Sequence, residues 1–255
     1  MRIVMIGSGN AASVLGRKIV AAGHTVTQVY SRNEQNAMQC AQACGASHTS
    51  DITSLDPVAD LYVIAITDSA LPSVKSWLAL ERKLVVHTAG TVSKEVLNGV
   101  SLNYGVLYPL QSMRKEMKHL PDIPFLVDGN TADDLTLIYD FAKSLSEKVE
   151  VANDQVRRQL HLAAVIVNNF SNHLFSLAEE FCKKENVNFE LLLPLIEETA
   201  LRLRFFPAKT MQTGPAMRND LPTIDRHLEV LKIHPELRSF YEFFSASIMK
   251  GNSKK

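Results

Sequence analysis

Gly7-Ser8-Gly9-Asn10-Ala11-Ala12 spaces its small residues as G-x-G-x-x-A, between the apolar run Arg2 to Ile6 and a helical stretch. Each small residue has a physical reason. Gly7 permits a tight turn, Gly9 lets the backbone approach a pyrophosphate, and Ala12 lets helix and strand pack closely. The start of the helix, around Ser8, Asn10 and Ala11, then offers free N–H groups and a positive dipole end to phosphates. About twenty residues on, the chain reads Tyr30-Ser31-Arg32-Asn33. A carboxylate at this place would bond the ribose 2′-hydroxyl of NAD, and none is there. Ser31 can bond a 2′-phosphate, and Arg32 can neutralise it and stack on adenine, which implies NADP(H). The alternative is a surface arginine in an ordinary turn. The nicotinamide half then falls to the loops after later strands: Ile66-Thr67-Asp68-Ser69 and His87-Thr88-Ala89-Gly90. Asp68-Ser69 also fits a helix N-cap.

In the second half, His161, Asn168 and Asn172 are seven and four residues apart, with Asn169 beside them. At α-helical pitch they form one stripe. His161 could give the proton that accompanies reduction of a C=O or C=N group, and Asn168 or Asn169 could hold the substrate atom that receives it. The same stripe could equally be a hydrogen-bonded contact inside the protein or between subunits. Arg218, in the loop Thr213 to Asp220, suits an anionic substrate, or it pairs locally with Asp220. Gln111 and Ser112 could close the same cleft from the other side.

The elements that must position these residues alternate. Short β-rich runs at Arg2 to Ile6, His24 to Tyr30, Leu61 to Ile66 and Leu84 to His87 are separated by helical stretches at Ala11 to Ala22, Glu34 to Cys44 and Leu71 to Leu80. That is the βαβ pattern of a doubly wound parallel sheet. Tyr104 to Tyr108, Pro124 to Val127 and Val149 to Val151 read as later strands, with a helix capped by Thr131 between the last two. From Asp154 to Lys184 there is neither Gly nor Pro, which predicts one helix of about 30 residues. Helices at Phe189 to Phe205, Thr223 to Lys232 and Pro235 to Met249 follow, and the tail Gly251 to Lys255 should fray. The chain therefore reads as α/β, with a Rossmann domain at 1–152 and an all-α domain at 153–255. So long an apolar helix has more surface than a small domain covers, which predicts a homodimer.

The 255 residues are 46% apolar and carry 27 basic against 27 acidic side chains. A neutral chain has no general attraction for nucleic acid or an anionic membrane. No apolar run approaches spanning length, and Met1 to Ile6 is too short for a signal segment. Three cysteines, an odd number, fit a reducing cytoplasm. Cys40 and Cys44 are four apart on a helix. They read as two small core residues rather than a redox pair or half a metal site, and no other metal spacing appears.

The N-terminal half resembles the Rossmann domain of pyrroline-5-carboxylate reductase, ketopantoate reductase and deazaflavin-dependent NADP oxidoreductases. The whole chain is similar to a group of NADP oxidoreductases with a helical C-terminal domain of unassigned function. That domain resembles the 6-phosphogluconate dehydrogenase C-terminal type. Ile6 to Asn10, Thr67 to Ser69, Tyr108 to Ser112, His161 to Asn169 and Thr213 to Asp220 with His227 carry the likeness. Tyr108 stands where that group often has His. The resemblance implies an NADP-dependent oxidoreductase acting on a small molecule. Two other readings are hydride exchange between a deazaflavin or flavin and NADP, and a non-catalytic NADP(H)-sensing dimer.

Overall fold

A computed structural model describes residues 1–252 of the protein. Strands β1 (Arg2–Ile6), β2 (Thr25–Tyr30), β3 (Ser47–Thr49), β4 (Leu61–Ile64), β5 (Glu81–His87), β6 (Ser101–Pro109), β7 (Phe125–Gly129) and β8 (Val149–Val151) form one sheet in the order 3-2-1-4-5-6-7-8. The first six run parallel in the Rossmann order. β7 turns back antiparallel to β6, pairing Pro109 with Phe125, and β8 runs parallel to β7.

Alternation along β1 and β4 builds the core. Ile3, Met5, Leu61 and Val63 point to one face of the sheet, into a cluster with helices α1 (Asn10–Ala21), α2 (Glu34–Cys44) and α3 (Ala132–Leu145). Val4, Ile6, Tyr62 and Ile64 point to the other face and meet Leu71, Val74 and Leu97. Cys40 and Cys44 are free thiols buried in the first cluster. Thr131 caps α3 by accepting the N–H of Asp134 at 3.1 Å.

Several elements differ from the sequence expectation. The stretch expected as a helix over Leu71 to Leu80 is a 3-10 helix, Asp68–Ser76, because Pro72 lacks the N–H that an α-turn needs. β3 is a strand that the sequence does not signal, since Ser47, His48 and Thr49 carry no apolar alternation. The long helix is interrupted. α4 (Asp154–Ala164) passes into a π-helical segment, Val165–Phe170, and then into α5 (Ser171–Lys184). Beyond it lie α6 (Leu193–Arg202), α7 (Leu221–Val230) and α8 (Pro235–Asn252). Gly251 and Asn252 extend α8 rather than fray, and the rest of the expected tail lies outside the described residues. The chain divides into two compact units between Asn168 and Asn169. No helix among the described residues is long and apolar enough to cross a membrane.

α4 is tied to the sheet's carboxyl edge by a buried cation. Arg157 is wholly inaccessible. Its Nη2 donates to the Asp154 carboxylate at 2.6 Å and to the Val92 carbonyl at 2.5 Å. Near it lies His87, also wholly buried, whose Nδ1 accepts the N–H of Ala89 at 3.2 Å. Burial, and after it the Arg157 charge, lower the His87 pKa to about 4. In the unfolded chain His87 gains its proton at about pH 6.5. Between these values the unfolded state binds more protons, so stability falls as pH drops from about 6.5 to about 4. His87 should contribute roughly 3 kcal/mol to that loss, and His24, whose pKa is also lowered by burial, adds in the same direction. Urea unfolding midpoints that stay level from pH 7 to pH 4 would refute this.

Candidate active site

At the carboxyl ends of β1, β2 and β4 the chain opens a cavity of about 680 Å³. Its floor is the glycine loop. Gly7 has φ of 123°, and a Cβ there would lie 2.2 Å from the Ala65 carbonyl oxygen, so only glycine fits between β1 and β4. The Gly7 N–H bonds the Tyr30 carbonyl at 2.8 Å, which joins the loop to the end of β2. Gly9 starts α1, and a Cβ built on it meets nothing within 4 Å. That open backbone at a helix N-terminus is what a pyrophosphate requires, so the residues present fit a dinucleotide.

Nine of the expected cofactor residues line this cavity: Gly7, Ser8, Gly9, Asn10, Ala11, Ser31, Arg32, Ile66 and Thr67. Ser8 Oγ donates to Ser31 Oγ at 2.8 Å, linking the phosphate loop to the place assigned to the 2′-phosphate. Arg32 stands exposed at the rim. Asn10 also has an unexpected partner, for its Oδ1 accepts the Lys115 N–H at 3.1 Å. Arg17 donates to the Met117 carbonyl at 2.7 Å, so α1 holds the loop that follows β6. The remaining lining residues, Tyr30, Ile52, Ala65, Ala70, Ser73 and Trp77, were not singled out as site residues from the sequence. Trp77 is the protein's single tryptophan, 6.4 Å from the Tyr30 ring between centroids. The one available signal was an aromatic residue in the segment just after β4.

Asp68, Ser69, Thr88 and Ala89 lie outside that cavity. They belong to the segments that follow β4 and β5, which are bonded to each other. Thr91 Oγ1 donates to Asp68 Oδ2 at 2.8 Å, and the Thr88 N–H donates to the Ile64 carbonyl at 3.2 Å. Thr67 and Ser69 share a hydroxyl contact of 3.4 Å.

Beside them, Tyr108 Oη and His161 Nδ1 are hydrogen-bonded at 2.9 Å. Tyr108 is the penultimate residue of β6 and is 8% exposed, while His161 is half-buried on α4. The two rings are tilted by 58°. Gly90 presses on both: a Cβ there would lie 2.7 Å from His161 Nδ1 and 2.8 Å from Tyr108 Cζ. Burial, with the Asp68 carboxylate next, raises the Tyr108 pKa above its ordinary value, and the Arg157 charge opposes them.

The other expected site residues stand on three further segments. Asn168 and Asn169 fall within the π-helical segment, where the α-helical count that aligned them with His161 and Asn172 does not apply. Gln111 Nε2 donates to the Asp122 carbonyl at 3.0 Å, and Gln111 Oε1 accepts the Ser112 N–H at 2.9 Å, which closes the loop on itself. Arg218 belongs to the second unit and is exposed on the turn before α7. There Thr223, and behind it the charges of Arg218 and Arg226, hold Asp220 below the usual carboxylate range.

Comparison with known proteins agrees with this geometry. Residues 2–90 match the family described as NADP oxidoreductase, coenzyme F420-dependent, and residues 123–248 match a domain of unknown function, DUF2520. An NADP oxidoreductase candidate of Bacteroides fragilis, BF3122, is 38% identical over 98% of both chains, with a TM-score of 0.90. Pyrroline-5-carboxylate reductase of Streptococcus pyogenes is 14% identical over 98% of both chains, with a TM-score of 0.66. An imine reductase of Myxococcus stipitatus, solved with NADP+, is 14% identical over 100% of this chain and 93% of its own, with a TM-score of 0.59. The last two likenesses show the fold. No curated protein matches the chain.

The Ser31–Arg32 corner makes a separable prediction. Arg32→Ala should weaken NADPH binding about ten- to a hundredfold, the range of one charge-assisted phosphate contact, and change NADH binding by less than about threefold. Calorimetric titration of both nucleotides checks it, and equal losses would remove Arg32 from 2′-phosphate recognition.

Proposed function

The chain belongs to the NADP oxidoreductase family, with NADP as cofactor, and on that premise we propose that it reduces a C=O or C=N bond of a small molecule. The observation that carries this reading is the Tyr108–His161 hydrogen bond beside the loops after β4 and β5. In a doubly wound sheet, ligands bind outside the carboxyl ends of the strands. The glycine loop and the Ser31–Arg32 corner account for the pyrophosphate and the 2′-phosphate. Asp68 and Thr88 to Gly90 then fall to the nicotinamide half. The reduced nicotinamide supplies hydride when bound. What the chain must add is a proton for the oxygen or nitrogen of the substrate, and a hydroxyl bonded to an imidazole is a proton source. A pure NADP sensor has no need of such a pair beside the nicotinamide loops.

We also propose that the helical region from residue 153 serves the substrate and dimer contacts. Within the second unit, large apolar side chains stand in the open. Leu191 is 77% exposed, Ile233 75%, Phe205 71% and Phe243 67%. Apolar exposure on this scale marks an interaction surface, and a second copy of the chain is the partner assigned to it.

Two measurements test these readings. With NADPH, a panel of keto acids, cyclic imines and an oxidised deazaflavin should include at least one class that drives loss of the reduced-nicotinamide absorbance. The deazaflavin covers the hydride exchange that the family description of residues 2–90 suggests. Tight NADPH binding with no turnover across the panel would favour the sensor. In sedimentation the protein should run as a dimer, and a stable monomer would overturn the second proposal.

A further inference from the structure

The hydrogen bond between Tyr108 and His161 leaves open which partner gives and which receives, and the two polarities are different chemistry. If the phenol donates to Nδ1, its proton is committed, and the imidazole must supply the substrate from its other nitrogen. If Nδ1–H donates to the phenol oxygen, the phenol proton is free. The placement of the phenol favours the second arrangement. Tyr108 lies on the sheet's carboxyl edge, where the loop after β5 touches it at Gly90 and the Asp68 carboxylate on the loop after β4 acts on it electrostatically. The expected nicotinamide loops therefore converge on the phenol. The charge of the wholly buried Arg157 guanidinium acts at Tyr108 in the direction that stabilises a phenolate, against the larger effect of burial and that of the Asp68 carboxylate. Gly90 leaves no room for a Cβ against either ring, so the backbone fixes the approach of the pair in either polarity.

We propose that Tyr108 Oη is the catalytic proton donor of the reduction, and that His161 is a positioning residue whose Nδ1–H holds that oxygen. This rests on the reductase reading above. As hydride reaches the substrate carbon, the π pair of the C=O or C=N bond moves onto oxygen or nitrogen. The Tyr108 O–H bond breaks, and its proton goes to that atom. The electron pair of the O–H bond stays on Oη as phenolate, held by the His161 Nδ1–H and faced by the Arg157 charge. A proton from water restores the phenol. In the oxidative direction the same phenolate takes the proton back.

The test has an arm that needs no substrate. With ¹⁵N-labelled histidine, the His161 ring signals are assigned by their loss in His161→Asn. They should show the Nδ1–H tautomer in the NADPH-bound protein, and an Nε2–H tautomer overturns the proposal. In the second arm, Tyr108→Phe keeps the ring and removes the hydroxyl. It should lower kcat about 10²- to 10⁴-fold while NADPH affinity stays within about twofold. Tyr108→Phe turning over within about threefold of the wild type overturns the assignment. His161→Asn keeps an N–H near the place of Nδ1 but cannot act as an acid. It should retain activity within about tenfold, whereas a loss as deep as that of Tyr108→Phe would make the imidazole the donor. If the wild-type protein reduces nothing, the reductase reading fails, and the tautomer still decides the polarity of the pair.

Discussion

Strand β1 lies between β2 and β4, parallel to both, and its last residue fixes the level of the whole site. Ile6 is paired with Tyr30 on one side and Ile64 on the other. The next ladder bonds run from the Gly7 N–H to Tyr30 and from the Ala65 N–H to Ile6, each at 2.8 Å. Three chain segments therefore leave the sheet at the same height and within contact of one another. Their turns can share one cavity only because Gly7 has no Cβ to strike Ala65. A register slip of one residue in β1 would move its apolar set to the other face and carry the loop with it. The placement of Ser8, Ser31 and Thr67 thus depends on backbone pairing more than on any contact among their side chains.

Toward the other edge of the sheet, positioning is done by side chains. Arg157 reaches from α4 to the Val92 carbonyl, and His161, one turn further along, reaches Tyr108. Both anchors hold the loop from His87 to Ser93 or the strand end beside it. A charge buried this deeply is tolerated because Asp154 accompanies it on the same helical turn. Desolvation then acts on whatever surrounds the pair: it keeps His87 neutral and Tyr108 protonated. Electrostatic tuning of the candidate proton source is in this sense a by-product of how α4 is fastened down.

Much of the cofactor half was legible in the sequence, because glycine spacing, strand ends and the missing carboxylate at Ser31 are local signals. The doubly wound sheet followed from the same alternation, while β3 escaped because a short polar edge strand has no buried face to advertise. Trp77 was invisible as a cavity wall, since its place depends on how a proline-containing 3-10 segment returns across the sheet. His161 was singled out, but by a stripe counted at α-helical pitch, and the π-helical segment invalidates that count beyond Ala164. Its actual partner, Tyr108, lies 53 residues away. A pairing of that range comes from topology, and a periodicity argument along one helix cannot reach it.

The position of Trp77 has one more consequence. Since the chain holds a single tryptophan and it lines the cavity at the glycine loop, all indole emission from the protein originates at that one place. The emission colour reports how wet the cavity wall is. A reduced nicotinamide bound nearby would accept the excitation by resonance transfer. The fold has thus built an optical gauge of its own occupancy, readable without a label and unconfused by any second indole.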